Sequence, residues 1–407
     1  MEPKLANRAW NRGLALLLVL GIVVLLVARQ PFRHETEPVS TASPDQQEVR
    51  QSVPSLSPTM HVSIWWDPQI AQRDLELVRS MGFHWIKQKF PWREIQGAGP
   101  GPYDWYRSDT VVDLVEEYGL NLVVRLDHQP FWAQKDGGEV PLPNAPPADY
   151  EQFFKFCEAV AERYQGRIKA YQVWNEPNLA REWGNEPPNP EDYVRLLAGC
   201  YEGIKRGDPD AVVISAGLAP TGTGLPVAIP DEEFLRRMYE AGAAQYFDML
   251  GVNAPGYAAP PQADPSVVAQ TPEWGGHEWA AFRHVEQIRE IMIEYGDAQK
   301  QIAILEMGWT TDPLHPEYSW FAVSAEQQAE NLAAAYWWAY MYWRPWIGLM
   351  TTIYIADPAW TPQDEQYWWS ITYPDWPETR LRPAYDTLSG LPDWWGQLPD
   401  QVQSIND

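Results

Sequence analysis

The chain has 407 residues, of which 45% are hydrophobic and 13% are aromatic. This composition provides a packed core for one large domain or two average ones and excludes global disorder. The formal net charge is −25, from 55 acidic and 30 basic residues. Such a surface repels nucleic acid and anionic lipid, so neither is predicted to bind it, whereas a neutral ligand is indifferent to the charge.

The histidine and cysteine patterns predict no metal site and no cofactor. The seven histidines form no His-x-His or His-Glu-x-x-His spacing, which disfavours a zinc or two-metal hydrolase. Cys157 and Cys200 each fall in a helix-like pattern and form no disulfide framework. We interpret them as buried free thiols.

The N-terminal part predicts a membrane anchor. Residues 13–28 are apolar and uncharged, and Lys4, Arg8 and Arg12 precede them. As a helix this run spans about 24 Å, and Arg12 and Arg29 can snorkel to close the gap to a bilayer core of about 30 Å. We favour an uncleaved anchor over the alternative, a cleaved signal peptide. The basic flank keeps the start cytoplasmic and sends the rest outside, as a single-pass protein of the cell membrane.

The anchor defines the predicted domain boundaries. Residues 1–33 are the cytoplasmic stub and anchor. Residues 34–58 are rich in Ser, Thr, Pro, Gln and Glu and predict a disordered tether. The folded part is expected to begin near His61, within a domain at 59–391, and 392–407 form a C-terminal tail.

From His61 onward, short apolar runs alternate with long amphipathic stretches, the pattern of a βα architecture. Strands are predicted to begin near His61, His84, Leu120, Ile168, Val212, Met249, Ile302 and Ile347. Helices are predicted at 69–81, 109–118, 148–164, 190–206, 231–245, 279–295, 324–343 and 382–388. Eight such units predict an α/β fold, a single (β/α)₈ TIM barrel.

Two glutamates end strand-like runs. Glu176 follows Asn175 directly after the fourth strand, and Glu306 ends the seventh. A second Asn-Glu-Pro, at residues 185–187, has no strand before it and is interpreted as an ordinary loop. Parallel barrel strands bring their carboxyl ends to one mouth, where active sites lie. There the two carboxylates could flank a glycosidic bond, one as acid/base and one as nucleophile.

With these residues the chain resembles the clan A glycoside hydrolases, retaining (β/α)₈ enzymes that include the cellulase-like family five and the xylosidase-like family thirty-nine. The resemblance covers most of residues 61–391. It implies that Glu176, preceded by Asn175, is the acid/base and that Glu306 is the nucleophile. It also implies that Tyr257, after strand six, bonds the nucleophile. The segment from Arg382 to Leu388 is similar to the closing helix of these enzymes.

The chain departs from the family pattern at two positions. The strand-two arginine has no counterpart, and Lys87 or Lys89 stands in that region. The strand-eight tryptophan is not evident, and Tyr354 occurs instead. Lysine lacks the bidentate fork of arginine. Even so, Lys87 and Arg125 would keep Glu306 ionised if they reach the mouth.

The remaining predicted site residues would contact a carbohydrate. Asn175 is suited to bond the sugar 2-hydroxyl, an interaction that strengthens in the transition state. Tryptophans at strand ends can stack on sugar faces. The predicted substrate-binding residues are Asn175, Tyr257, Lys87, His128, Trp174 and Trp309.

These features predict a membrane-anchored, extracytoplasmic retaining glycoside hydrolase that cleaves β-linked oligo- or polysaccharides with two glutamates. A non-catalytic carbohydrate-binding or surface-assembly protein on the same barrel is the alternative. A transglycosylase would share every catalytic residue. The sugar, the linkage, endo versus exo cleavage and the oligomeric state stay open.

Overall fold

The computed structural model describes residues 48–135 and 144–391. Within them eight parallel strands close into a barrel in sequence order, which confirms the predicted fold. The strands are β1 (Ser57–His61), β2 (Trp85–Pro91), β3 (Asn121–Asp127), β4 (Ala170–Val173), β5 (Val212–Ile214), β6 (Met249–Pro255), β7 (Gln301–Gly308) and β8 (Ile347–Thr352).

The described helices surround this barrel. They are α1 (Pro68–Ser80), α2 (Trp92–Ile95), α3 (Tyr106–Glu117), α4 (Tyr150–Arg163), α5 (Pro190–Gly207), α6 (Asp231–Glu240), α7 (Pro265–Ala269), α8 (His284–Glu294), α9 (Pro316–Ser319), α10 (Ala325–Tyr342), α11 (Glu365–Trp369) and α12 (Pro383–Ser389). Side-chain caps explain several helix starts, because Asp67, Asp149, Asn189 and Ser324 each accept a hydrogen bond from a first-turn amide.

An apolar layer fills the lower part of the barrel. It contains Trp85, Val123, Ile214, Met249 and Leu349, all buried on different strands. Side chains on a strand alternate between its two faces, so on β2 the next inward residues after Trp85 are Lys87 and Lys89. The barrel interior therefore changes from apolar to charged toward the carboxyl ends of the strands.

The predicted tether is wrong for residues 48–58. β1 begins at Ser57, and the segment before it is anchored to the barrel. Val53 is buried in the lower apolar layer, and the Gln301 side-chain oxygen accepts from the amides of Ser52 (2.9 Å) and Val53 (3.2 Å). The anchoring partners are about 250 residues away in sequence, so local composition could not reveal them.

The interpretation of the cysteines as free thiols is also wrong. Cys157 on α4 and Cys200 on α5 form a disulfide, with their Cα atoms 5.4 Å apart. Each cysteine lies on the buried face of its helix. Only the packing of the two helices brings the sulfurs together, and neither helical pattern shows that packing.

The predicted anchor at residues 13–28 and the predicted tail at 392–407 lie outside the described residues. Among the residues that are described, no helix is long and apolar enough to cross a membrane.

Candidate active site

A cleft of about 970 Å³ opens at the carboxyl ends of the strands. Glu176 and Glu306 both line it, together with residues that follow the other strands of the barrel. Their side chains retain only 13% and 17% exposure, respectively. The two predicted catalytic carboxylates therefore share one partly dehydrated cavity.

The turn after β4 aims Glu176 into this cleft. Trp174 and Glu176 both have left-handed backbone conformations, with φ of 70° and 43°. Such conformations are costly for residues other than glycine and need support from surrounding contacts. Part of that support is a hydrogen bond of 3.0 Å from the Glu176 amide to the carbonyl of Gly217.

Two side chains contact the Glu176 carboxyl group. Asn253 Nδ2 donates to Oε1 at 2.9 Å, and Arg181 lies 3.2 Å from Oε2. Burial raises the pKa of Glu176 to about 7; Arg181 opposes this rise, and the negative charge of Glu306 adds to it. Glu176 can therefore carry a proton near neutral pH, which a general acid requires.

Glu306 has a different environment. It lies on β7 beside Asn253 of β6, and its Oε1 is 3.3 Å from both Lys87 Nζ and Arg125 Nη1. The side chain of Lys87 is fully buried and also donates to the carbonyl of Leu305 at 2.8 Å. Both predicted cations thus reach Glu306, and together they stabilise a negative charge at this position.

The two cations differ in how firmly they hold their protons. Burial lowers the pKa of Lys87 to about 8, although the Glu306 charge opposes this change. Arg125 also pairs with buried Asp127 at 2.8 Å. Lys87 is consequently the partner of Glu306 that can lose its charge at mildly alkaline pH.

Three of the predicted substrate-binding residues line the cleft. Asn175 is buried beside Glu176, and its Oδ1 accepts from Gln172 at 3.2 Å. The His128 imidazole bonds Asp127 at 2.5 Å. Tyr257 reaches the cleft, but its hydroxyl donates to the carbonyl of Pro220 at 3.1 Å and not to Glu306.

Tyr354 occupies the side of the cleft near Glu306. Burial raises the pKa of Tyr354 well above its ordinary value, and the negative charge of Glu306 contributes to the rise. Its ring packs against the imidazole of His61, with the two ring centroids 4.9 Å apart. Tyr354, noted in the sequence only as a departure from the family pattern, therefore lies within the electrostatic field of the nucleophile candidate.

The prediction that Trp174 and Trp309 contact sugar is wrong, because both side chains are fully buried. Trp174 Nε1 donates to the carbonyl of Glu182, and Trp309 Nε1 donates to that of Ala259. The position of a tryptophan at a strand end therefore does not show whether its ring faces the cleft or the helices. The exposed rings of the cleft are instead those of Trp66 (59%) and Trp320 (48%).

Asn253 and Arg181 were absent from the predicted site. Both touch Glu176, yet they are separated from it by 77 and 5 residues. Asn253 fits because residue 217 is glycine: a Cβ there would lie 2.1 Å from Asn253 Oδ1. The end of strand six in the sequence, Val252-Asn253-Ala254, was the one available signal for Asn253.

Solved structures share this architecture. A family 39 glycoside hydrolase from the gut symbiont Bacteroides cellulosilyticus WH2 aligns with a TM-score of 0.59 at 18% identity, over 84% of this chain and 64% of its own. A family 5 enzyme (GH5_18) from Streptomyces cattleya, solved with GlcNAc, aligns with a TM-score of 0.58 at 14% identity, over 85% of this chain and 82% of its own. A GH10 endoxylanase from a sugarcane soil metagenome aligns with a TM-score of 0.51 at 16% identity, over 82% of this chain and 97% of its own.

The neighbours are clan A glycoside hydrolases, as the sequence resemblance predicted. This chain spans less than two thirds of the family 39 enzyme's length. No protein-family model matches the sequence, and no curated protein matches it. At these identities the likeness establishes the shared barrel fold, and the activity has to be argued from the site.

Proposed function

We propose that this protein is a retaining glycoside hydrolase in which Glu306 is the nucleophile and Glu176 is the acid/base. One observation carries the proposal: two carboxyl groups of one cleft have opposite electrostatic surroundings. The pKa of Glu176 is raised to about 7 by burial, whereas Lys87 and Arg125 both contact Glu306. An acid and a nucleophile in one site require two carboxyl groups whose surroundings differ in this way.

In the first step Glu306 attacks the anomeric carbon while Glu176 protonates the departing glycosidic oxygen. The covalent glycosyl–enzyme intermediate then neutralises Glu306. Because the Glu306 charge contributes to the raised pKa of Glu176, its loss lowers that pKa and lets Glu176 act as a base on water. Retention requires a carboxyl separation of about 5–5.5 Å, whereas about 6.5–9.5 Å would permit inversion.

The substrate is a β-linked oligo- or polysaccharide. The exposed rings of Trp66 and Trp320 offer flat surfaces for the apolar faces of sugar rings. Asn175 stands beside the acid/base, where it can bond the sugar 2-hydroxyl, and His128 supplies a further polar contact. The wall of the cleft, which mixes polar and aromatic residues, supports a carbohydrate ligand.

The protein acts outside the cytoplasm, anchored by residues 13–28. The Cys157–Cys200 disulfide supports this location, because disulfides persist mainly in oxidising compartments. Membranes that retain the full-length protein after a high-salt wash, with the barrel open to external protease, are the expected result. Release by salt, or protection of the barrel on the cytoplasmic side, would refute the anchor.

The activity is tested with the full-length protein and a panel of aryl β-glycosides and β-glucans. Proton NMR during turnover should show first-formed product with the anomeric configuration of the substrate. Glu306→Ala should abolish turnover, and azide should restore a product of opposite configuration. Glu176→Ala should slow substrates with poor leaving groups far more than activated ones, because only the former need protonation.

The second Asn-Glu-Pro provides a matched control. Glu186 is exposed in a loop after β4, so Glu186→Ala should retain parent activity. Near-parent cleavage of a natural substrate by both the Glu176 and Glu306 variants would refute the site assignment. The non-catalytic carbohydrate-binding function would then replace the proposal. A first-formed product of inverted configuration would refute the mechanism alone.

A further inference from the structure

The corner of the cleft formed by β1 and β2 contains polar groups that the proposed mechanism does not use. His61 ends β1, Trp65 follows it, and Lys89 lies near the end of β2; all three line the cleft. Lys89 is two residues beyond Lys87, so it projects from the same face of β2, nearer the mouth. We call these three residues (His61, Trp65 and Lys89) the β1–β2 corner. Since Lys87 contacts Glu306, the β1–β2 corner adjoins the nucleophile.

Polar atoms of these three side chains have no hydrogen-bond partner within the part of the chain that the structure describes. His61 Nδ1 and Trp65 Nε1 are buried and form no hydrogen bond there. The residues themselves are 4% and 6% exposed. Lys89 is only partly buried, and its Nζ forms no hydrogen bond or salt bridge with any described residue. Buried polar groups are normally bonded, so an unsatisfied cluster at the edge of a cleft indicates a ligand that completes it.

Both positive and negative side chains act on the corner. Burial lowers the pKa of His61 well below its ordinary value, and the charges of Lys87, Arg125 and Lys89 lower it further. Burial likewise lowers the pKa of Lys89, with a further contribution from Arg125, whereas the charges of Asp127, Glu306 and Glu182 oppose the change. The neighbouring acids have other partners: Asp127 bonds Arg125 and His128, and Glu182 accepts from Asn144.

We propose that the β1–β2 corner binds the carboxylate of a uronic acid, so that the preferred glycone is an acidic sugar. The Trp65 indole and the Lys89 ammonium can only donate hydrogen bonds, and a carboxylate can only accept them. A neutral hydroxymethyl group would offer the ammonium no charged acceptor at hydrogen-bond distance. The corner adjoins Glu306, whereas Arg181 and Asn253 surround Glu176, so the acidic group belongs to the sugar that is attacked and not to the leaving group.

This inference rests on the proposed function and deepens it. The test uses matched aryl β-glycoside pairs that differ at C6: glucuronide against glucoside, and galacturonide against galactoside. A 6-sulfated galactoside forms a third arm, because sulfate shares the acceptor chemistry of a carboxylate. The expected result is a higher kcat/KM for the uronide than for its neutral partner in at least one pair, and higher than for the sulfated sugar.

Variants connect the preference to the corner. Lys89→Met should lower the ratio of uronide to neutral kcat/KM by about tenfold or more, as expected for a lost charge-assisted hydrogen bond. Lys89→Arg keeps the charge and should retain part of the preference. Lys155, exposed on α4, gives the matched control, and Lys155→Met should leave the ratio unchanged.

The outcomes separate this inference from the proposed function. Retaining hydrolysis in which the neutral sugar is preferred in every pair, or in which Lys89→Met leaves the ratio unchanged, would overturn the inference alone. A preference for the sulfated substrate would overturn the assignment to a carboxylate. If no substrate turns over, calorimetry with glucuronate and glucose decides: selective glucuronate binding that Lys89→Met abolishes supports the inference, and its absence overturns it.

Discussion

Replacing Glu176 with glutamine should change how the stability of the protein depends on pH. The pKa of Glu176 is raised from 4.5 to about 7 in the folded protein. Below pH 4.5 both the folded and the unfolded chain keep the proton, so the ionisation of Glu176 does not change the free energy of unfolding. Between 4.5 and about 7 only the unfolded chain releases it, and stability falls as the pH rises. Above about 7 the cost is constant.

The size of this effect follows from the shift. One pKa unit is worth about 1.4 kcal/mol, so the full shift costs the parent about 3 kcal/mol at alkaline pH. Allowing for partial ionisation at the lower value, the free energy of unfolding of Glu176→Gln relative to the parent should rise by about 2.5 kcal/mol between pH 5 and pH 8. Glutamine cannot ionise, so the variant does not experience this loss.

Guanidinium denaturation followed by tryptophan fluorescence at both pH values measures the difference. Comparing the two pH values cancels any effect of the substitution that does not depend on pH, such as altered packing. A relative stability that stays constant from pH 5 to pH 8, or that falls, would show that burial does not raise the pKa of this carboxyl group. The assignment of Glu176 as the acid would then lose its main support.

Three further predictions concern the site and the disulfide. The alkaline limb of kcat/KM should lie near pH 7, where Glu176 loses its proton, and Arg181→Gln should move it upward because Arg181 opposes the raised pKa. Lys87→Met should reduce kcat by about 10²-fold with a smaller change in KM, because it removes a cation that contacts Glu306, the proposed nucleophile. Replacing both Cys157 and Cys200 with alanine should lower the free energy of unfolding by about 4 kcal/mol, given their sequence separation of 43.

Each of these predictions has a measurement that can contradict it. Arg195, exposed on α5, is the control for the arginine variant, and an identical shift in Arg195→Gln would show a general charge effect. For Lys87→Met, an unchanged kcat at parent-like circular dichroism would contradict the role. For the alanine pair, unchanged denaturation midpoints without reductant would show that the bond adds no stability.

The fold was largely predictable because barrel strands and helices repeat a pattern that a short window of sequence reveals. The position of Glu176 and Glu306 at the mouth was predictable for the same reason, since each ends a strand of recognisable type. Arg181, Asn253 and the disulfide were not predicted. Each depends on contacts between segments distant in the chain or on the conformation of a loop. The strand-end position of Asn253 was the single local signal among them, and it does not show that Asn253 contacts Glu176.

The buried tryptophans show a second limit of sequence reasoning. Trp174 stands one residue before Asn175, and the left-handed backbone at Trp174 turns its ring away from the cleft. Position relative to a strand end indicates the neighbourhood of a side chain but not its direction. Direction at this turn is set by backbone conformations that ordinary residue preferences disfavour.

Gly217 makes the surroundings of Glu176 sensitive to a substitution that mutational surveys restricted to cleft-facing side chains would miss. Its carbonyl holds the amide of Glu176, and its missing side chain makes room for Asn253. Even alanine at 217 would force Asn253 to move, and Asn253 is a direct partner of the Glu176 carboxyl group. Because the Asn253 hydrogen bond lowers the pKa of Glu176, a substitution at a position that has no functional group can shift the pH range of the enzyme.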